Sequence, residues 1–171
     1  DACPSYEKIG QNATYNLGDC YLKTNQKENA RSAFQSAASM DFDDDIKQTA
    51  LFNYGKLSFE RGYSSEAIQS FESYLNKYPS GANTDDCNEL LAAALVKTKN
   101  YERAYKIMEG LKNQSALIKA AYQKVTYFGA IELYNDQKYD EALLLCEKSL
   151  KNPVDIDLQA LAIYLRAERS Y

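Results

Sequence analysis

Apolar residues recur along this chain with the spacing of helices that each bury one face, and short polar breaks separate them. No stretch shows the strict alternation of a strand. The predicted helices lie near 5–24, 27–40, 41–61, 64–78, 84–99, 101–111, 117–136, 139–150 and 155–171. Their expected inward-facing residues include Leu17, Tyr21, Tyr74, Leu91, Leu95, Leu111 and Leu133.

Local residue types predict where these helices begin and end. The acidic run at 41–45 stands before a helix, where the helix dipole favours carboxylates, so we interpret it as capping rather than as a cation site. Gly62 suits a left-handed residue after a helix. Ser64 is the expected N-cap of the next helix, and Pro79 is expected to end it.

Small residues repeat at a fixed interval along the helices. Four alanines are spaced 37, 37 and 38 residues apart: Ala30, Ala67, Ala104 and Ala142. Twelve residues before them stand Gly18, Gly55, Ala92 and Ala130, and four residues after them stand Phe34, Phe71, Met108 and Cys146. Such a period indicates stacked helix–turn–helix units, in which the small residues let paired helices approach closely. The pattern therefore predicts an all-α solenoid.

This frame resembles the tetratricopeptide repeat, whose signature residues it carries in order. They are Leu17, Gly18, Tyr21, Ala30, Phe34 and Ala37; Gly55, Ala67, Phe71, Tyr74 and Pro79; Leu91, Ala92, Leu95, Tyr101 and Ala104; and Ala130, Leu133, Tyr139 and Ala142. The resemblance implies a right-handed α-solenoid of about nine helices. It comprises repeats at 11–44, 48–81, 85–118 and 123–156 with a partial fifth at 157–171, as one segment of a longer protein. The period exceeds the family's 34 residues, and the last two full repeats replace the signature glycine by alanine.

Composition narrows the function. The net charge is −4 and basic residues do not cluster, so neither nucleic acid nor an anionic membrane is an expected partner. The longest apolar run, at 90–96, is too short to span a bilayer. The chain has no histidine, no glycine-rich phosphate loop and no G-x-S-x-G motif. We therefore expect no enzymatic activity and no cofactor.

Four cysteines are present, without a C-x-x-C pair or a histidine, so the usual zinc spacings are absent and no metal site is predicted. Cys20, Cys87 and Cys146 fall at unrelated repeat positions, which makes a disulfide framework improbable. We expect these three to be small buried hydrophobic residues. Cys3 precedes the repeats and could be free and exposed.

The resemblance also implies a ligand groove lined by the first helix of each repeat. The candidate groove residues are Tyr15, Asp19, Phe52, Lys56, Phe59, Glu89, Lys124, Tyr127, Tyr134 and Tyr164. Aromatic side chains suit a peptide groove because they offer contact area at low conformational cost. The alternative, that these rings brace neighbouring repeats, stays open. The family's clamp for a C-terminal carboxylate needs Lys and Asn at these places and is not expected here.

The phrase FESYLNKYPS at 71–80 resembles one found in envelope-associated bacterial tetratricopeptide proteins, including outer-membrane assembly lipoproteins and periplasmic Tol-system proteins. It implies a periplasmic or outer-membrane location. We expect a non-enzymatic scaffold that binds a protein or peptide and supports assembly of an envelope complex. The alternatives are a structural spacer that positions another domain, and a cytosolic adaptor or co-chaperone. Apolar residues of the last helix (Leu161, Ile163 and Tyr164) further predict self-association through that helix.

Overall fold

The computed structural model describes residues 4–111 and 114–168, and within these ranges the chain forms nine helices and no strand. The helices are α1 (Pro4–Lys23), α2 (Lys27–Ser39), α3 (Asp44–Arg61), α4 (Ser64–Lys77), α5 (Thr84–Lys97), α6 (Tyr101–Gly110), α7 (Ala116–Asn135), α8 (Tyr139–Lys151) and α9 (Ile156–Glu168). The predicted all-α class is confirmed. Most predicted helix ends lie within two residues of the observed ones.

The chain divides into two compact units, Asp1–Ala94 and Leu95–Tyr171, with the division inside α5. In the first unit α1 packs on α2, α2 on α3, and α3 on α4. In the second unit α6 packs on α7, α7 on α8, and α8 on α9. Each unit is therefore a stack of helix–turn–helix pairs, in which every helix is covered by its neighbours in the sequence.

The turn inside each helix pair has one repeated conformation. A left-handed residue stands at the same repeat position four times, with φ of 58°, 87°, 58° and 62°: Asn25, Gly62, Lys99 and Gln137. The N–H of the following residue donates at 2.8 Å to a carbonyl five residues earlier in all four turns. The prediction for Gly62 is confirmed. The other three positions adopt the same conformation without glycine, so the packing of the helix pair imposes it on them.

The N-terminal caps separate one correct prediction from one error. Asp43 precedes α3, and its Oδ1 accepts a hydrogen bond from the Ile46 N–H at 3.1 Å, as the capping interpretation predicts. Ser64 is not an N-cap, because it is already the first residue of α4 and Tyr63 holds the cap position. The N–H of Tyr63 donates to the Ser58 carbonyl, so the tight turn leads directly into the helix.

Close helix approach in the first unit depends on glycine facing phenylalanine. A Cβ atom added at Gly18 would lie 2.8 Å from the Phe34 ring, and one added at Gly55 would lie 2.8 Å from the Phe71 ring. Both phenylalanines are completely buried. In the second unit Ala130 packs in a cluster with Leu145 and Cys146. The predicted pairing of small and large residues is thus confirmed in both units.

The outer face of α1 corrects two predictions. Leu17 is 47% exposed and Cys20 is also exposed, although both were expected to be buried. Their counterparts 37 residues later, Tyr54 and Leu57, pack in the core cluster with α2 residues. Within the described ranges no helix precedes α1, so nothing covers the equivalent face of that helix.

The remaining described cysteines, Cys87 and Cys146, are buried free thiols, as predicted. Burial, with a smaller contribution from Asp86, raises the pKa of Cys87 to about 12. Burial also raises the pKa of Cys146, where Glu147 adds to the rise and Arg166 opposes it. Cys3 lies outside the described residues.

Alkylation should separate these thiols. At about pH 8 iodoacetamide should modify Cys20 quickly, whereas Cys87 and Cys146 should react only after unfolding, because burial disfavours their thiolates. Above pH 9.0 the unfolded Cys87 thiol loses its proton while the folded one keeps it up to about pH 12, so stability should fall as pH rises through this window. Peptide mapping after timed alkylation measures the order. Rapid native labelling of Cys87 would contradict it.

Two buried glutamines fasten the junctions between repeats, and the sequence interpretation missed both. In the first unit the Gln11 Nε2 donates to the carbonyls of Ala37 and Met40, both at 3.1 Å, and of Asp43 at 3.2 Å. Its Oε1 accepts from the N–H groups of Phe42 at 3.1 Å and Asp43 at 2.7 Å. One completely buried amide thus holds the chain that leads from α2 into α3.

Gln123 plays the same role in the second unit. Its Nε2 donates to the Asp155 carbonyl at 2.8 Å, and its Oε1 accepts from the N–H groups of Val154 at 2.8 Å and Asp155 at 2.7 Å. The Asp155 carboxylate in turn accepts hydrogen bonds from the N–H groups of Asp157 and Leu158. The segment between α8 and α9 is therefore fixed as the one between α2 and α3 is.

The last helix exposes several apolar side chains. Ile156, Leu161, Ile163 and Tyr164 are 80%, 47%, 45% and 65% exposed, whereas Ala162 is completely buried. Self-association through α9 stays a prediction that this exposure motivates.

Candidate partner-binding surface

Tyr15 and Asp19 lie one turn apart on α1, and both are half-buried. The Tyr15 ring contacts Phe34, with the ring centres 5.4 Å apart. Its hydroxyl group hydrogen-bonds the Asn53 side chain on α3, while burial, followed by the Asp19 charge, raises its pKa. Tyr15 thus links α1 to both α2 and α3 while keeping part of its surface exposed.

The candidates on α3 differ among themselves in exposure. Phe52 is only 7% exposed and contacts the Tyr74 ring at 6.2 Å between centres. The expectation of an accessible ring is therefore wrong for Phe52, because α4 covers it. Lys56, one turn later, is exposed, and Phe59 is half-buried. Glu89, on the part of α5 that belongs to the first unit, is half-buried.

In the second unit α7 shows the same division. Lys124 is exposed. Tyr127 is 8% exposed and contacts Phe128 with the ring centres 5.3 Å apart, so it too is a packing residue rather than an accessible one. Tyr134 is half-buried and meets Tyr139 edge to face at 5.2 Å.

Exposure therefore divides the ten candidates. Phe52 and Tyr127 are covered by their neighbours, while the other eight offer at least part of their surface: Tyr15, Asp19, Lys56, Phe59, Glu89, Lys124, Tyr134 and Tyr164. Tyr15, Asp19, Lys56 and Phe59 lie on the packed helices α1 and α3 of the first unit. Lys124 and Tyr134 lie on α7, and Tyr164 lies on α9, which also contacts α7.

Lysines neutralise the acidic run before α3. Lys47 lies 2.5 Å from Asp41, Lys8 lies 3.0 Å from Asp43, and Lys77 lies 3.1 Å from Asp44. These hydrogen-bonded cations lower the carboxyl pKa of Asp41 and Asp43, and Tyr78 followed by Lys77 lowers that of Asp44. The search of residues 4–111 and 114–168 finds no group of three or more His, Cys, Asp or Glu side chains that could hold a metal ion.

Several residues of this surface were not predicted from the sequence. Asn53 receives the Tyr15 hydroxyl group, and Phe128 stacks on Tyr101 as well as meeting Tyr127. The buried glutamines Gln11 and Gln123 had a recognisable pattern, since each opens a repeat on the buried face of its helix. A long polar side chain at a repeated inward position indicates a fixed hydrogen-bond partner.

Comparison with known proteins decides the family. Two stretches of the first unit, residues 12–44 and 49–81, match family models described as tetratricopeptide repeat. The chain belongs to the tetratricopeptide-repeat family. These repeats act as protein-interaction modules, so the chain is a protein-interaction scaffold, as the sequence predicts at this level of detail.

Solved structures resemble the whole fold. MamA 41-end from Desulfovibrio magneticus RS-1 matches with a TM-score of 0.54 and 16% identity, covering 94% of this chain and 85% of that one. A second structure of MamA matches with a TM-score of 0.59 and 18% identity, covering 92% and 85%. Identity this low shows a shared fold alone. No curated protein matches the chain.

A membrane-spanning helix was also sought. Among the described residues no helix combines the length and the apolar character that crossing a bilayer requires.

Proposed function

We propose that this tetratricopeptide-repeat chain is a non-enzymatic scaffold that binds a protein or peptide through the accessible residues of its first helices. The accessible polar and aromatic side chains that recur on α1, α3, α7 and α9 carry this proposal. Exposed Lys56 and Lys124 combine with half-buried Tyr15, Phe59 and Tyr134. Aromatic rings flanked by charged groups give binding energy and orientation together.

We further propose that the complex is assembled in the bacterial envelope, at the periplasmic or outer-membrane side. The phrase at 71–80 supports this location by its resemblance to envelope-associated repeat proteins. In this chain Phe71, Tyr74 and Tyr78 of the phrase are buried, and the Tyr78 hydroxyl group donates to Asp44 at 2.7 Å. Fractionation of cells that produce the native protein should place it with the envelope. Recovery in the cytosol would favour an adaptor or co-chaperone instead.

A second candidate function is that of a structural spacer. The observation that favours it is the burial of Phe52 and Tyr127, since those rings connect helices instead of facing a ligand. A spacer needs no specific partner on the first helices, so the two functions differ in what that surface captures.

Site-specific photocrosslinking separates the scaffold from the spacer. A photoreactive amino acid placed at Lys56, Lys124 or Tyr164 in the full-length protein should capture the same partner from all three positions. Gln35, exposed on α2, is the matched control position and should capture none of it. Equal capture at Gln35, or unrelated products at the three test positions, would support the spacer.

Once that partner is identified, replacing Phe59 by alanine should weaken its binding by about 2 kcal/mol, or roughly thirtyfold, because truncating an interface aromatic has this typical effect. Calorimetric titration measures the affinity, and the same substitution at the exposed Phe42 is the control. If Phe59 only braces repeats, the melting temperature should fall while the affinity stays unchanged.

A further inference from the structure

A groove in the second unit lies between α6 and α8, with α7 as its floor and a volume of about 210 Å³. We call it the α6–α8 groove. Tyr105, Leu133 and Leu145 form its apolar lining, and Gly129 leaves part of the floor without a side chain. The groove is separate from the accessible first-helix residues described above.

Acidic side chains surround this apolar lining. Four carboxylates and a single cation complete the groove: Glu102, Glu132, Asp136, Glu141 and Lys138. Glu102 is paired with Lys106 at 2.6 Å. Among the described residues no cation forms an ion pair with Glu132, Asp136 or Glu141. The groove therefore combines apolar walls with an excess of negative charge that the chain itself does not neutralise.

The first unit shows what occupies the equivalent groove there. Its positions lie 74 residues earlier on α2 and 75 earlier on α3 and α4, as Ala30 and Ala104, and Ala67 and Ala142, establish. Arg31 takes the place of Tyr105 and fills the space between α2 and α4.

The Arg31 guanidinium group has aromatic and acidic partners. Its central carbon lies 4.1 Å from the centre of the Tyr63 ring and 5.8 Å from that of Tyr54. Its Nε donates to Glu28 at 3.3 Å, and Arg61 donates to the other oxygen of Glu28 at 2.7 Å. The repeat architecture thus accommodates a guanidinium group between neighbouring second helices, where cation–π and ion-pair contacts act together.

The second unit has lost these cations and kept the acids. Tyr105 replaces Arg31, Asp136 replaces Arg61, and Gly129 replaces Tyr54, which opens the floor. Glu102 and Glu141 stand where Glu28 and Glu66 stand in the first unit. Lys148 lies 4.9 Å from the centre of the Tyr105 ring but pairs with Glu109 at 2.8 Å and does not line the groove.

We propose that the α6–α8 groove binds an arginine side chain of a protein partner. The guanidinium group lies among the carboxylates of Glu132, Asp136 and Glu141, and the methylene stem packs on Leu133 and Leu145. Charge complementarity and the Arg31 precedent select this occupant. The proposal rests on the scaffold function for the source of the arginine, but the groove and its chemistry are independent of the first-helix surface.

A small probe tests the groove directly. N-acetyl-arginine methylamide titrated into the isotope-labelled chain at low salt should shift the amide resonances of Gly129, Glu132 and Leu145 in a saturable way. The citrulline analogue, neutral and nearly isosteric, should not. Added salt should weaken the binding because the attraction is between exposed charges. Absence of saturable shifts, or equal binding of the citrulline probe, would overturn the proposal.

Substitutions then assign the charges. Asp136→Arg restores the first-unit arrangement and should abolish probe binding, whereas Glu132→Gln should weaken it about fivefold, the effect of one exposed ion pair. Glu147→Gln, on an exposed position of α8 outside the groove, removes one charge as the matched control and should leave the affinity unchanged. Unchanged resonances far from the groove verify folding, and undiminished binding to the Asp136→Arg variant would refute the site.

The source of the arginine needs one more measurement. A photoreactive residue at Glu141 of the full-length protein should capture a partner, and Asp136→Arg should remove that capture. Probe binding without such capture would overturn the assignment to a protein partner. Failure of crosslinking from the first helices alone would instead count against the scaffold surface, so the two proposals fail separately.

Discussion

Replacing Phe71 by alanine should lower the free energy of unfolding by about 3–5 kcal/mol, the largest effect expected from a single substitution in this chain. The Phe71 ring is completely buried and lies against Gly55, where no side chain could fill the space that the ring would leave. The loss therefore combines the removal of apolar area from the core with a persistent cavity. Urea unfolding monitored by circular dichroism measures it.

Phe42 provides the control for this experiment, since it is 44% exposed and its replacement by alanine should change stability little. The close approach itself can be tested in a second step. Gly55→Ala should be destabilising alone, because its Cβ would lie 2.8 Å from the Phe71 ring, and nearly neutral when Phe71 is already alanine. Additive effects of the two substitutions would show that glycine and phenylalanine are not in contact.

Replacing Gln11 by leucine should destabilise the chain by about 3 kcal/mol, although the two side chains are of similar size. The substitution leaves the N–H groups of Phe42 and Asp43 and the Ala37 carbonyl without their partner in a partly or fully buried junction. Each buried polar group that loses its hydrogen bond costs about 1–3 kcal/mol. Gln123→Leu should have a comparable effect in the second unit, through Val154 and Asp155.

Gln35 is the matched control because it is an exposed glutamine on α2, and its replacement by leucine should alter stability by less than about 0.5 kcal/mol. Denaturant midpoints and hydrogen exchange of the Phe42 and Asp43 amides provide the measurement. Protection of those two amides that survives in the Gln11→Leu variant would show that the glutamine does not hold the junction.

The two proposed binding surfaces lie on different helices of the repeat and differ in chemistry. The first helices offer lysines and half-buried aromatic rings, while the α6–α8 groove offers unpaired carboxylates around apolar walls. A partner could engage either surface without the other. Variants at Phe59 and Asp136 therefore separate two interactions that binding of the intact chain would report as one.

The repeat period made much of this fold predictable. Small residues at 37-residue intervals placed the helix pairs, and the glycine–phenylalanine contacts follow from that spacing alone. The period could not predict which face is covered at α1. Leu17 and Cys20 follow the buried pattern of Tyr54 and Leu57, yet they are exposed because their cover would have to come from a preceding helix.

The accessible surface was predicted less well for a related physical reason. Helical periodicity identifies the side of a helix on which a residue lies, but Phe52 and Tyr127 lie at the edge of that side, where a ring can turn toward a neighbour. Whether it does so depends on the distance between helices and on the neighbouring side chain. Those quantities arise from packing, so exposed Lys56 and buried Phe52 could not be distinguished by position.

By itself, the sequence determined the all-α class, the helix pairs and their small–large contacts, because backbone hydrogen bonding and apolar burial repeat with a fixed period. The tertiary structure decided the buried amides of Gln11 and Gln123, the left-handed turns at Lys99 and Gln137, and the open groove over Gly129. Each of these depends on which groups distant segments bring together. Local propensity carries no record of that neighbourhood.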